Sequence, residues 1–184
     1  MLQAKQIEEQ YRELFRVKAV KENYNVLVHL KWQKAANDLS LAQGLLTLST
    51  NLKIKSDLGY TKETTFFDWV IVCSYYSIFH AAQALLGTKG IKIVDRMHTA
   101  TVISFAKHFI INQELAEELF LIYEDAEAKS KELLEIFEEE KDKRGIFQYH
   151  RLSQNNLQPA EESLKNARTF LKAIQEVLQR KGLI

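Results

Sequence analysis

Residues 66–87 read FFDWVIVCSYYSIFHAAQALLG, with no Gly or Pro before the closing Gly87. Phe67, Val70, Ile71, Ser74, Ile78, Ala81 and Leu85 recur at helical spacing, and Tyr75, Phe79, Ala82 and Leu86 make a second face. The spacing predicts a helix that is apolar over most of its circumference, and such a helix belongs at the centre of a bundle. Between the two faces runs a polar line of Asp68, Tyr76, His80 and Gln83. Polar side chains on a buried helix need partners or a wet cavity. The run is long enough to cross a bilayer, but Asp68, His80, Gln83 and its Ser and Tyr residues favour a buried helix instead.

The rest of the chain is more polar and can be placed around this element. Its 184 residues contain one Pro and six Gly, so helix breakers are scarce, and an all-α fold is expected. Residues 3–20 form a first amphipathic helix on Ile7, Tyr11, Phe15 and Ala19, an extension over residues 1–22. A bundle over residues 23–184 follows. A helix over 25–50 carries Trp32, Ala35, Leu39, Ala42 and Leu46 as its stripe, with Asp38 beside it as a rim or capping charge. Residues 51–60 read as a connection, and Thr61 or Thr64 as the N-cap of the central helix. After a loop at 91–95, helices are expected at 96–111 and 113–143, with a break at Gly145 and a last helix entered at Pro159. The architecture expected is an up-and-down bundle of four to five long helices with an additional N-terminal helix.

The net charge of +1 excludes a generally basic nucleic-acid coat but leaves room for a local basic site. Residues 113–142 hold twelve acidic side chains against three Lys, which reads as a solvated face. The lone Cys73, inside the apolar run, reads as a small buried hydrophobe. The N-terminus MLQAKQIEEQ has no apolar leader, so a cytoplasmic protein with no membrane association is expected.

Three places concentrate chemistry. Residues 144–151, RGIFQYHR, hold two guanidiniums, an imidazole and a phenol at a helix end. A guanidinium binds phosphate through a planar fork of donors, and a histidine moves protons near neutrality. Together they can cleave RNA without a metal: the histidine takes the ribose 2′-hydroxyl proton and the arginine stabilises charge at phosphorus. Six residues are about 240° on a regular helix, so Arg144 and His150 share a face only if the backbone bends at Gly145. The same octapeptide also reads as a basic helix end that binds nothing. The second place is the polar line, where His80 and Asp68 face either a site or the core. The third is Arg96, His98 and His108, an anion cluster at a helix start or a capping cluster; the two histidines are too far apart for one metal. There is no Gly-rich phosphate loop, no His-Glu-x-x-His and no Gly-x-Ser-x-Gly, so neither a metal nor a cofactor is expected.

Trp32-x-x-x-Ala36-x-Asp38-Leu-x-x-Ala42, the later Tyr75-Tyr-Ser-Ile-Phe-His-Ala-Ala-Gln-Ala-Leu-Leu86, and Arg96-Met-His-Thr-Ala-Thr-Val-Ile-Ser-Phe-Ala-Lys-His-Phe109 together resemble the HEPN domain family, in its prokaryotic branch. The resemblance covers roughly residues 25–180. It implies an all-α bundle, a homodimer, and a toxin paired with a nucleotidyltransferase-type antitoxin. It further implies a metal-independent endoribonuclease whose signature, Arg then His after four to six residues, falls on Arg144 and His150, at a composite site between subunits. Arg151, Tyr149, His80 and Asp68 are the expected substrate-binding groups. The alternative implied is a non-catalytic module that binds a nucleotide or a partner protein.

Overall fold

The computed structural model describes residues 4–119, 126–150 and 156–184, with side chains throughout except at 126–127 and 147–150. The protein is an all-α bundle. Its helices are α1 (Ala4–Arg16), α2 (Val28–Thr50), α3 (Leu52–Asp57), α4 (Phe67–Gly87), α5 (Met97–Phe105), α6 (Glu114–Leu119), α7 (Ala126–His150) and α8 (Leu157–Arg180). A single π-helical turn, Ala106–Ile111, continues α5.

The central element is α4, which packs against α2, α5, α7 and α8. Its most apolar window is 89% buried inside the protein, so the one described helix apolar enough to span a membrane is a core helix. Small residues permit the closest of these contacts: Ala35 and Ala42 on α2, and Ala81 and Ala84 on α4, are wholly buried. On the other side, Phe105, Phe137 and Phe170 bring α5, α7 and α8 together, with ring centroids 5.7–6.0 Å apart. Each such buried ring contributes roughly 1.5–3 kcal/mol. Ile7, Tyr11 and Leu14 of α1 join the same core. The Cys73 side chain is buried, and burial pushes its thiol up to about 11, so it packs as a hydrophobe.

Several local expectations give way. The connection at 51–60 contains α3, because the Asn51 side chain accepts the Ile54 N–H at 3.1 Å and caps a short helix. Neither Thr61 nor Thr64 caps α4; their hydroxyls bond each other at 3.1 Å, and α4 starts at Phe67 without a side-chain cap. The Phe66 N–H is instead satisfied by the Ser49 hydroxyl of α2, at 2.8 Å. Within the 91–95 loop, β2 (Lys92–Ile93) pairs antiparallel with β1 (Val20–Lys21), tying the segment after α1 to the segment after α4.

The largest correction concerns Gly145. The chain does not break there: α7 runs unbroken to His150. A glycine inside a helix costs about 0.5–1 kcal/mol relative to Ala, which a long packed helix absorbs. Leu133, Leu134 and Phe137 are fully buried and Glu140 has no exposed surface, so the helix is anchored up to the turn before Gly145. The expected long helix at 113–143 corresponds to α6 and α7, with residues 120–125 outside the described part.

A Cβ at Gly145 meets nothing within 4 Å. Gly145→Ala is therefore expected to raise stability by about 0.5–1 kcal/mol in urea unfolding; a loss would mean that the backbone leaves the helix there. Gly87→Ala places a Cβ 2.9 Å from Val26 Cγ1 and 3.1 Å from Val28 Cγ2. It should lower stability by about 1–3 kcal/mol in the same assay.

Candidate active site

Two members of the polar line on α4, His80 and Gln83, find hydrogen-bond partners on the neighbouring helices. His80 Nδ1 lies 2.8 Å from Asp38 Oδ2 of α2, with the two side chains 18% and 28% exposed. The carboxylate accepts, so Nδ1 carries the proton and Nε2 is the ring atom left for solvent or a ligand. One turn on, Gln83 is buried; its Oε1 accepts from Lys31 Nζ at 2.7 Å and its Nε2 donates to Thr101 Oγ1 at 3.3 Å. Asp68 stands apart. It lies in the first turn of α4, where a carboxylate complements the helix dipole, about 18 Å along the axis from His80.

Tyr76 is the hub of what the fold does bring together. Its ring centroid lies 6.1 Å from His80 and 5.9 Å from His98 of α5. The Arg144 guanidinium of α7 sits 5.6 Å from the same centroid and 5.8 Å from that of Tyr75. Arg144 faces inward onto two rings because α7 packs along α4 with Phe137, two turns earlier, in the core. Its Nε is buried without a hydrogen-bond partner, and among the described residues no carboxylate pairs with it. A guanidinium over aromatic faces is stabilised by the ring quadrupoles while keeping its charge.

His98 sits beneath this cation. Its Nδ1 is 2.6 Å from the hydroxyl of Tyr75, a wholly buried ring. Burial holds the Tyr75 phenol well above its ordinary range, Arg144 pulling the other way, so the phenol keeps its proton. It donates to Nδ1, which leaves the imidazole proton of neutral His98 on Nε2. Burial first, then the Arg144 and Lys141 charges, lowers His98 below the ordinary histidine value. The arrangement thus offers one unpaired cation, one imidazole held neutral and one carboxylate-oriented imidazole around an aromatic platform. That set can hold a phosphate and move a proton beside it.

The other expected residues divide differently. His150 ends α7, six residues after Arg144 on an unbroken helix, so the two positions lie about 240° and 9 Å apart. The side chains of Tyr149 and His150, and all of Arg151, lie outside the described residues. Arg96 adopts a left-handed backbone (φ 48°) as the N-cap position of α5. His108 packs edge-on against Tyr11, 5.0 Å between centroids, away from His98. No group of three or more His, Cys, Asp or Glu side chains among the described residues is placed to hold a metal. Sequence reasoning underweighted Asp38 and His98. The signal for Asp38 was its place beside the stripe that packs on α4. His98 was visible only as part of a cluster with Arg96 at a helix start, and its pairing with Tyr75, 23 residues away, was not.

A histidine with a depressed folded value resists protonation in the native state while the unfolded chain takes the proton up. Its contribution is complete above the unfolded value of about 6.5 and is lost as pH falls through it. Stability is therefore expected to fall between about pH 7 and pH 5. Imidazole NMR should find His98 titrating below its ordinary value, and Arg144→Gln should move that midpoint upward. An unchanged midpoint would remove Arg144 from the His98 environment.

The HEPN domain family model matches residues 57–177, more than half of the chain. No curated protein and no solved structure matches it. The matched span begins at the end of α3 and runs into α8, so it contains Tyr75, Tyr76, His80, His98, Arg144 and His150, and leaves out Asp38. The chain belongs to the HEPN domain family.

Proposed function

We propose that this HEPN protein is a metal-independent endoribonuclease of the toxin type, acting in the cytoplasm as a homodimer, with Arg144 and His150 as its catalytic residues. The observation that carries the reading is Arg144: a guanidinium with no carboxylate partner among the described residues, fixed over Tyr75 and Tyr76 beside a neutral histidine. An RNA phosphodiester supplies the missing anion. His150 takes the proton of a ribose 2′-hydroxyl, the oxygen attacks phosphorus, the 5′-oxygen leaves, and Arg144 stabilises the charge that develops on the phosphoryl oxygens. The products are a 2′,3′-cyclic phosphate and a 5′-hydroxyl. Because the two positions do not share a face of α7, the site is composite, with Arg144 from one subunit and His150 from the other. His80, oriented by Asp38, and Tyr76 border the bound strand. Tyr149 and Arg151, next to His150 in sequence, are proposed to bind the same strand, and Asp68 lies too far along α4 to touch the same phosphate.

A second reading is a non-catalytic module that binds a nucleotide and works with a nucleotidyltransferase-type antitoxin. The Asp38–His80 pair favours it, since a ribose hydroxyl or base edge can bond the free Nε2 while Arg144 holds a phosphate.

In EDTA the purified protein is expected to cleave RNA, and Arg144→Ala and His150→Ala should each reduce the rate about a hundredfold or more. Mixing the two inactive variants then tests the composite site. Mixed dimers carry one intact site, so about a quarter of the wild-type activity should return. No recovery would place both residues in one subunit. Nucleotide binding without any cleavage would favour the second reading.

A further inference from the structure

A pocket of about 270 Å³ opens between the start of α2, the C-terminal half of α4 and β2. It lies about two turns of α2 from Asp38 and one turn of α4 from His80. Val26, Leu27, Leu30, Leu86, Ile91 and Ile93 make its walls, and Asn25, Lys31, Gln83 and Lys92 are its polar members. No acidic residue and no aromatic ring lines it.

Lys31 is held in place. Its Nζ donates to Gln83 Oε1 at 2.7 Å, Gln83 Nε2 donates to Thr101 Oγ1 at 3.3 Å, and Thr101 donates to the Met97 carbonyl at 2.7 Å. That chain of bonds orients the amide oxygen toward the ammonium. Lysine has three donors, and one is used by Gln83, which leaves two for a ligand. Among the described residues no carboxylate pairs with Lys31, and burial, then the neighbouring Lys34, lowers its pKa. A half-buried ammonium without a counter-charge is unfavourable, and an anion beside it removes the deficit. Lys92 adds a second positive charge at the exposed rim.

The walls select the rest of the ligand. They are aliphatic and offer no ring on which a nucleobase could stack, so they match a hydrocarbon body. We propose that this pocket binds a small aliphatic carboxylate, its headgroup on Lys31 and its chain against Val26, Leu30, Leu86 and Ile93. The volume suits a chain of about eight carbons, just below the range of drug-sized sites. The inference is independent of RNA cleavage.

Isothermal titration calorimetry of octanoate onto the full chain tests it, with octan-1-ol as the neutral probe of the same length. Octanoate is expected to bind about tenfold or more tightly than octan-1-ol, and Lys31→Met should remove that difference while leaving the alcohol unaffected. Lys92→Gln, at the rim and clear of the Gln83 bond, should weaken octanoate about twofold to fivefold, and circular dichroism checks that both variants fold. Equal affinity for the two probes, no octanoate binding at millimolar concentration, or full affinity in both lysine variants would overturn the assignment.

Discussion

A long helix at the centre of a small bundle needs neighbours for its large polar side chains, even where small hydroxyls such as those of Ser74 and Ser77 stay buried without a hydrogen-bond partner. In this protein that requirement falls on α4. His80 is met by Asp38, Gln83 by Lys31 and Thr101, and the Tyr75 hydroxyl by His98. Leaving one such group buried and unpaired costs about 1–3 kcal/mol, a large share of a domain's net stability. These bonds tie α2 and α5 to α4 beside the close packing of the small residues Ala35, Ala42, Ala81 and Ala84. The same bonds assemble the candidate site, so stability and function draw on one set of contacts.

How much of this was legible in residues 1–184 follows from the range of each interaction. The apolar period of residues 66–87 is local, and it identified α4, its burial and its polar line. The stripe of α2 was equally plain. Gly145 was misread because glycine reports only the freedom of one residue; whether that freedom is used depends on the packing of Leu133, Leu134 and Phe137 on either side of the core. The Thr61 and Thr64 capping signal failed for a related reason: Ser49, 17 residues away in α2, satisfies the backbone at the start of α4. In the site, His80 was visible as a polar residue on an apolar helix. Its partner Asp38, 42 residues earlier, became specific only when α2 docked. Arg144 was legible as a cation after a long acidic helix, but its seat on two tyrosine rings was not.

The charge pattern of α7 explains how a guanidinium with no carboxylate partner among the described residues survives beside so many acidic side chains. Glu140, one turn before Arg144, has its Oε1 taken by Lys143 and by Asn166 of α8. Lys143 also reaches Glu162 of α8. These pairs draw the nearby acid toward α8 and away from the aromatic platform. Burial raises the free energy of any charge, and at Arg144 the rings offer a partial counter-charge. The result is a local positive centre in a protein whose net charge is close to zero.

The placement of α1 has a consequence for synthesis. Its apolar face, Ile7, Tyr11 and Leu14, finds its contacts in α5 and the π-helical turn, residues 97–111, rather than in its immediate successors. As the chain leaves the ribosome, that face waits for about 90 residues to emerge before it has anything to cover it. At about 5–20 residues per second, the wait is several seconds or more. The Tyr24 N–H to Gly90 carbonyl bond and the pairing of Val20–Lys21 with Lys92–Ile93 are the long-range backbone bonds that link the segment after α1 to the segment after α4. The N-terminal helix thus docks only once residues 97–111 have been made.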